Sequence, residues 1–191
     1  MKNIIIILLV FLCTKSQGQN NNNIYQIVLE DYVFVKYKVP KKTRLVIVDS
    51  TSKYCKESYP PNEFKYIKKD SSSFAEFYSF ENDSCAEIAL NDLDFKNLNK
   101  GIKYHFLANY KIGSYFQEEI KTNKWVNFRK KEKVDFGIVR FSTIYYSKNG
   151  KYACLNLSHS CDSLCGQGVF YTLYFDGQKW VIFDSYTTWV S

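Results

Sequence analysis

Two segments near the end decide the architecture. They are Tyr152-Ala153-Cys154-Leu155-Asn156-Leu157 and Val169-Phe170-Tyr171-Thr172-Leu173-Tyr174-Phe175-Asp176-Gly177-Gln178-Lys179-Trp180-Val181-Ile182-Phe183. Ala153, Leu155 and Leu157 alternate with other residues, as do Val169, Tyr171, Leu173 and Phe175. Period-two alternation is the signature of strands with one buried face. Upstream, Ile138 to Tyr146 continues the strand pattern, and Asn149-Gly150 is a type I′ hairpin signal. Asp176-Gly177 marks the next turn, before a strand over Lys179 to Phe183. Four sequential strands joined by short loops predict an antiparallel β-meander over the C-terminal third.

One face of such a sheet needs a cover. Ile24, Ile27, Val28, Tyr32 and Val35 recur at nearly helical spacing, with Glu30 and Asp31 on the other side. This favours a helix over about 24–36, although the β-branched content leaves a strand open. Pro40 ends it. Leu45-Val46-Ile47-Val48 is a short buried strand. Ser71 to Ser73 offer caps for a short helix from Phe74 to about Asn82. Residues 88–112 suggest two short strands around Asn99-Lys100-Gly101. Ser114 opens another helix, carrying Tyr115, Phe116 and Ile120. The expected fold is therefore α+β, a C-terminal four-stranded antiparallel β-meander covered by N-terminal amphipathic helices.

The chain has 191 residues, 46% hydrophobic and 24% charged, with 15 Phe, 16 Tyr and 3 Trp. That excludes a wholly disordered or collagen-like chain and supplies ample aromatic surface for a core. Its start, Met1-Lys2-Asn3, an uncharged run from Ile4 to Cys13, then Thr14-Lys15-Ser16-Gln17-Gly18, matches a secretory signal peptide. The run is shorter than a membrane span. The expected organisation is a signal peptide over 1–18 and one domain over 19–191, exported to the periplasm or medium. A lipoprotein attached through Cys13 is the minority reading, because Leu12 stands where a small residue is wanted. Removing residues 1–18 takes away Lys2 and Lys15 and no acid, so the net charge falls from +7 to +5. A mild basic excess is compatible with an anionic envelope polymer as partner, or another envelope protein. It carries no nucleic-acid-binding motif and no membrane span.

Five cysteines remain after cleavage: Cys55, Cys85, Cys154, Cys161 and Cys165. Export favours pairing. Cys161 and Cys165, next to Gly166 and Gly168, are expected to close a small structural disulfide in a loop over 158–168. Cys55 and Cys85 are paired with less to support them, and Cys154 sits in a strand as a small buried hydrophobe. Two sharper readings of the loop stay open. His159, Cys161 and Cys165 offer zinc ligands, with Cys154 or His105 as the fourth. A thiol enzyme is the other, although the three-residue spacer departs from the redox motif. No G-x-S-x-G, P-loop or H-E-x-x-H motif occurs, and no cofactor is implied.

The candidate binding surface runs from Lys121 to Lys133. Lys121, Lys124, Arg129, Lys130 and Lys131 flank Trp125 and Phe128 there, a basic and aromatic mixture suited to an anionic polysaccharide or headgroup. The competing view turns Trp125 and Phe128 into the core and leaves the lysines solvated. A non-catalytic binding or structural role is favoured over catalysis.

Several short stretches resemble a group of small, uncharacterised exported bacterial proteins of Bacteroidota type. They are Trp125-Val126-Asn127-Phe128, Phe141 to Tyr146, Lys151-Tyr152-Ala153, Leu164-Cys165-Gly166-Gln167-Gly168, Asp176-Gly177-Gln178-Lys179-Trp180 and Trp189-Val190-Ser191. The resemblance covers roughly residues 110–191 well. It implies export and the strand architecture, and no activity.

Mass spectrometry of the native mature protein is expected to find Gln19, or a residue close to it, at the N-terminus. A retained Met1 or a lipid on Cys13 overturns this reading.

Overall fold

A computed structural model describes residues 23–40, 42–51, 89–91, 95, 98, 101–117, 123–146 and 150–191. The fold is α+β, built on a mixed sheet of seven strands: β1 (Thr43–Val48), β2 (Ile102–Leu107), β3 (Gly137–Phe141), β4 (Tyr145–Tyr146), β5 (Tyr152–Asp162), β6 (Cys165–Phe175) and β7 (Trp180–Val190). The order across the sheet is β2-β1-β3-β5-β6-β7, with β4 paired to β5. The expected meander is the antiparallel half, β3-β5-β6-β7. The sheet does not stop there. β1 pairs in parallel with both β2 and β3, which the expectation of four antiparallel strands did not include.

Among the described residues the helices are three. Helix α1 covers 23–30 and passes into a π-helical stretch at Asp31–Lys36. Helix α2 is Asn109–Phe116 and α3 is Lys124–Glu132. Ile24, Tyr25, Val28, Leu29, Tyr32 and Val33 of α1 are buried with Leu45, Ile47, Val139, Phe141, Leu155 and Tyr171 in one core. A π-helical turn holds more residues than an α turn. The stripe therefore drifts at its end, and Val35, expected on the buried face, is 64% exposed. Tyr171 Oη donates to Asp31 Oδ2 at 3.0 Å and fastens this end to the sheet.

The other face of β1 and β3 has its own core. Val46, Val48 and Ile138 pack there with Leu107, Ile112, Phe128 and Val134. Helices α2 and α3 thus form the crossover from β2 to β3, which returns the chain to the sheet on the far side of β1. The sequence placed the first of these helices at Ser114 and carried it to Ile120. It starts instead at Asn109, and Ile120 lies outside the described residues, as does the helix expected over 74–82. Ile138–Tyr146 is two strands, because the ladder is interrupted at Thr143 and Ile144. The fourth meander strand runs on to Val190 rather than ending at Phe183.

Trp180 opens β7 at 5% exposure, its ring 5.3 Å from Phe175 and 5.8 Å from Tyr146. Trp180→Ala is expected to lower stability by about 3–5 kcal/mol. Urea unfolding followed by circular dichroism checks this. An unchanged midpoint places the ring outside the core.

Candidate functional site

The stretch 158–168 is not a loop. Strand β5 runs to Asp162 and β6 begins at Cys165, leaving Ser163 and Leu164 as the turn. The register slips between Ser160 and Asp162, and Cys161 and Cys165 form a disulfide pair with Cα atoms 5.1 Å apart. The glycines that suggested a turn serve another purpose. Gly168 faces Trp189 across the ladder, and a Cβ there would drive into the indole N–H edge. A Cβ on Gly166 would stand 2.9 Å from the far edge of the same ring. Glycine within a strand commonly marks such a close approach. Cys154 is free and buried, and its burial pushes the thiol far above its ordinary value. Cys55, Cys85 and Lys121 lie outside the described residues.

His159 points into the core at 1% exposure. Its ring stacks on Phe136 at 4.0 Å, with Tyr32 and Tyr37 at its edges, 5.7 and 5.3 Å away. Nε2 lies 2.7 Å from the Phe136 carbonyl oxygen, so it is the protonated nitrogen and donates to that oxygen. Gly137 makes the packing possible. Its φ of +121° suits glycine, and a Cβ would strike the Ser160 carbonyl oxygen. Burial, with Arg129 nearby, holds the imidazole down to about 4 despite the carbonyl's opposing pull. Among the described residues, no three His, Cys, Asp or Glu side chains stand together as a metal site. The residues once weighed for zinc or thiol chemistry are a core histidine and a paired disulfide.

The basic stretch divides by sidedness. Phe128 is fully buried, and Trp125 packs on Phe116 and Phe128 with centroids 4.9 and 5.8 Å apart. Lys124 Nζ donates to the Phe116 carbonyl at 2.8 Å, closing the end of α2. Arg129 turns inward and donates to the Cys161 carbonyl. The Lys131 ammonium sits 5.2 Å from the centroid of the Tyr115 ring. Lys130 is exposed. Three of the five described cations in the stretch, Lys124, Arg129 and Lys131, thus have structural work. The same stretch nevertheless borders a groove of about 620 Å³ between the start of α3 and the β5–β6 turn, lined by Phe116, Lys124, Trp125, Val126, Asp162 and Ser163. Helix and hairpin, read separately in the sequence, meet here.

A polar cluster that sequence reasoning missed joins β2 to both helices. Glu132 of α3 accepts from Tyr115 Oη of α2 and lies 3.1 Å from His105 Nε2 of β2. Burial alone would raise Glu132. The bonds from Tyr115 and His105, with Lys111 nearby, outweigh it and hold the carboxyl below its ordinary value. The Glu132 side chain is only 11% exposed and that of His105 is 41% exposed. The cluster ties three elements together. Spacing could not reveal it, because His105, Tyr115 and Glu132 stand 10 to 27 residues apart and meet only after the crossover folds back.

No protein-family model, curated protein or solved structure matches the chain.

His159 supplies a pH test. Its folded value is about 4 against an ordinary 6.5. Above pH 6.5 it is neutral in both states and its packing contributes fully. As pH falls from 6.5 towards 4 the unfolded chain takes up the proton first, and stability is lost. The expected loss is on the order of 3 kcal/mol. Urea midpoints across that window should fall in the parent and fall less in His159→Gln, which keeps a donor and does not titrate. Parallel pH profiles refute the burial.

Proposed function

We propose that the chain is an exported, non-catalytic binding domain and that a saccharide unit of an anionic envelope polymer seats in the groove between α3 and the β5–β6 turn. The groove itself is the observation that carries this reading. Its volume, about 620 Å³, falls within the usual range for ligand sites. Trp125 and Val126 offer an apolar wall, and Lys124, Asp162 and Ser163 offer polar atoms around it. That is the composition of a site that holds and orients a ligand. The signal-like residues 1–18 support export, and the basic balance of the remaining chain supports an anionic partner. The thiol and metal readings find less support, since His159 is sealed in the core and Cys161 is paired with Cys165.

Co-sedimentation with insoluble envelope polysaccharide from the producing bacterium tests the reading. The mature chain should pellet with the polymer, and Trp125→Ala should weaken retention roughly ten-fold, the scale of a lost aromatic anchor. Equal retention of the variant removes the groove from the function. Release of reducing ends during incubation replaces binding with catalysis.

A further inference from the structure

Strands β3, β5, β6 and β7 carry one row of residues straight across the sheet. Arg140 pairs with Ser158, Ser158 with Gly168, and Gly168 with Trp189. The middle of this row is small, and its two ends are a cation and an indole. The Trp189 ring leans back over Gly168 and Gly166 and is 42% exposed. Arg140 and Trp189 line a single concavity with Ser158 between them.

Arg140 is the unusual member. Its side chain is only part-buried, and no carboxylate pairs with it among the described residues. Desolvation without an acidic neighbour pushes it down from its ordinary value. A guanidinium nonetheless stays charged at neutral pH. Contrast Arg44, which holds Asp135 through two bonds of 2.9 and 2.8 Å on the surface, where such a pair is worth little. The chain has thus placed its unpaired arginine where a partner would matter most. A buried charge is costly until an opposite charge and its hydrogen bonds arrive.

We infer that the Arg140–Ser158–Gly168–Trp189 row is a second binding site, which takes the carboxylate of a hexuronic acid residue. It is separate from the groove and stands even if the groove binds nothing. The concavity admits about 10 Å³, the size of one water. Only one ligand oxygen enters it, so the ligand sets one carboxylate oxygen in the concavity and keeps the rest outside. Arg is suited to this, because its planar fork matches a carboxylate with two parallel bonds. The Ser158 hydroxyl donates or accepts beside it. The exposed part of the indole provides an apolar surface for the ring that bears the carboxylate. Gly168 and Gly166 are required for that ring to lie where it does. An acidic peptide would satisfy Arg140 and leave the indole without a ring, which favours the sugar acid.

Titration of the mature chain with tetragalacturonate, followed by tryptophan fluorescence and by amide shifts in NMR spectra, tests the site. Saturable binding is expected, with shifts at Ser158, Gly168 and Trp189. Arg140→Gln should weaken it about ten-fold or more, as should full methyl esterification of the ligand, because both remove the charge-assisted pair. Trp189→Leu should weaken it as well. Lys179→Gln, an equal loss of charge at an exposed turn, should leave it unchanged. Amide spectra of each variant in the absence of ligand report whether the sheet is intact. Should Arg140→Gln unfold, the ester comparison on the parent chain decides alone. Absence of saturation at millimolar ligand, equal binding of the ester, or tighter binding of a triglutamate peptide overturns the inference. Retention on envelope polysaccharide lost in Trp125→Ala but kept in Arg140→Gln would sink this site and leave the groove standing.

Discussion

Strand β1 is buried on both faces, and the rest of the molecule is arranged to allow it. Leu45 and Ile47 face α1, while Val46 and Val48 face the α2–α3 crossover, all at 0 to 2% exposure. A strand in that position needs ladder partners on both edges and apolar cover above and below, since any unpaired backbone group there would be orphaned. β2 and β3 supply the edges in parallel. Parallel neighbours need long connections, so a crossover between β2 and β3 is a consequence of topology rather than an elaboration. Burial of β1 therefore sets the helical layer on both sides.

The antiparallel half hangs from β3 and obeys a different constraint. Its strands follow one another in sequence and are joined by short turns. The β5–β6 hairpin extends to the Ser163–Leu164 turn, where the disulfide closes its tip and Arg129 of α3 binds the Cys161 carbonyl. That contact links the crossover to the hairpin. The histidine and glycine just inside the tip, His159 and Gly137, lock the same corner from the core side. A polar-looking sequence thus becomes a packed junction of the sheet.

Charge follows the same division. Groups that touch structure are paired: Arg44 with Asp135, Glu132 with Tyr115 and His105, Asp31 with Tyr171. Arg140 breaks this habit, part-buried beside Trp189 with no acid to meet it among the described residues. Buried charges are rare without a partner because desolvation is expensive. The exception is what makes that row a site and distinguishes it from the engaged lysines of α3.

The local parts of this fold were legible. Alternation announced the strands around Leu155 and Tyr171, periodicity announced α1, and Leu45 to Val48 announced a buried strand, since each signal is carried by neighbours in the chain. Cys161 and Cys165 were also legible as a pair, being four residues apart. The rest depends on residues distant in sequence. Nothing in Thr43–Val48 says that its partners are Ile102–Leu107 and Gly137–Phe141, because ladder hydrogen bonds use backbone common to every residue. Gly166 and Gly168 suggested a turn, since the same lack of a side chain serves a turn or a close approach, and only the arrival of Trp189 from β7 decides between them. Arg129 and Arg140 are both single arginines in the sequence. Tertiary packing makes one a tie to the hairpin and leaves the other without an acid among the described residues, because the worth of a charge is set by what surrounds it and by how much water it has lost.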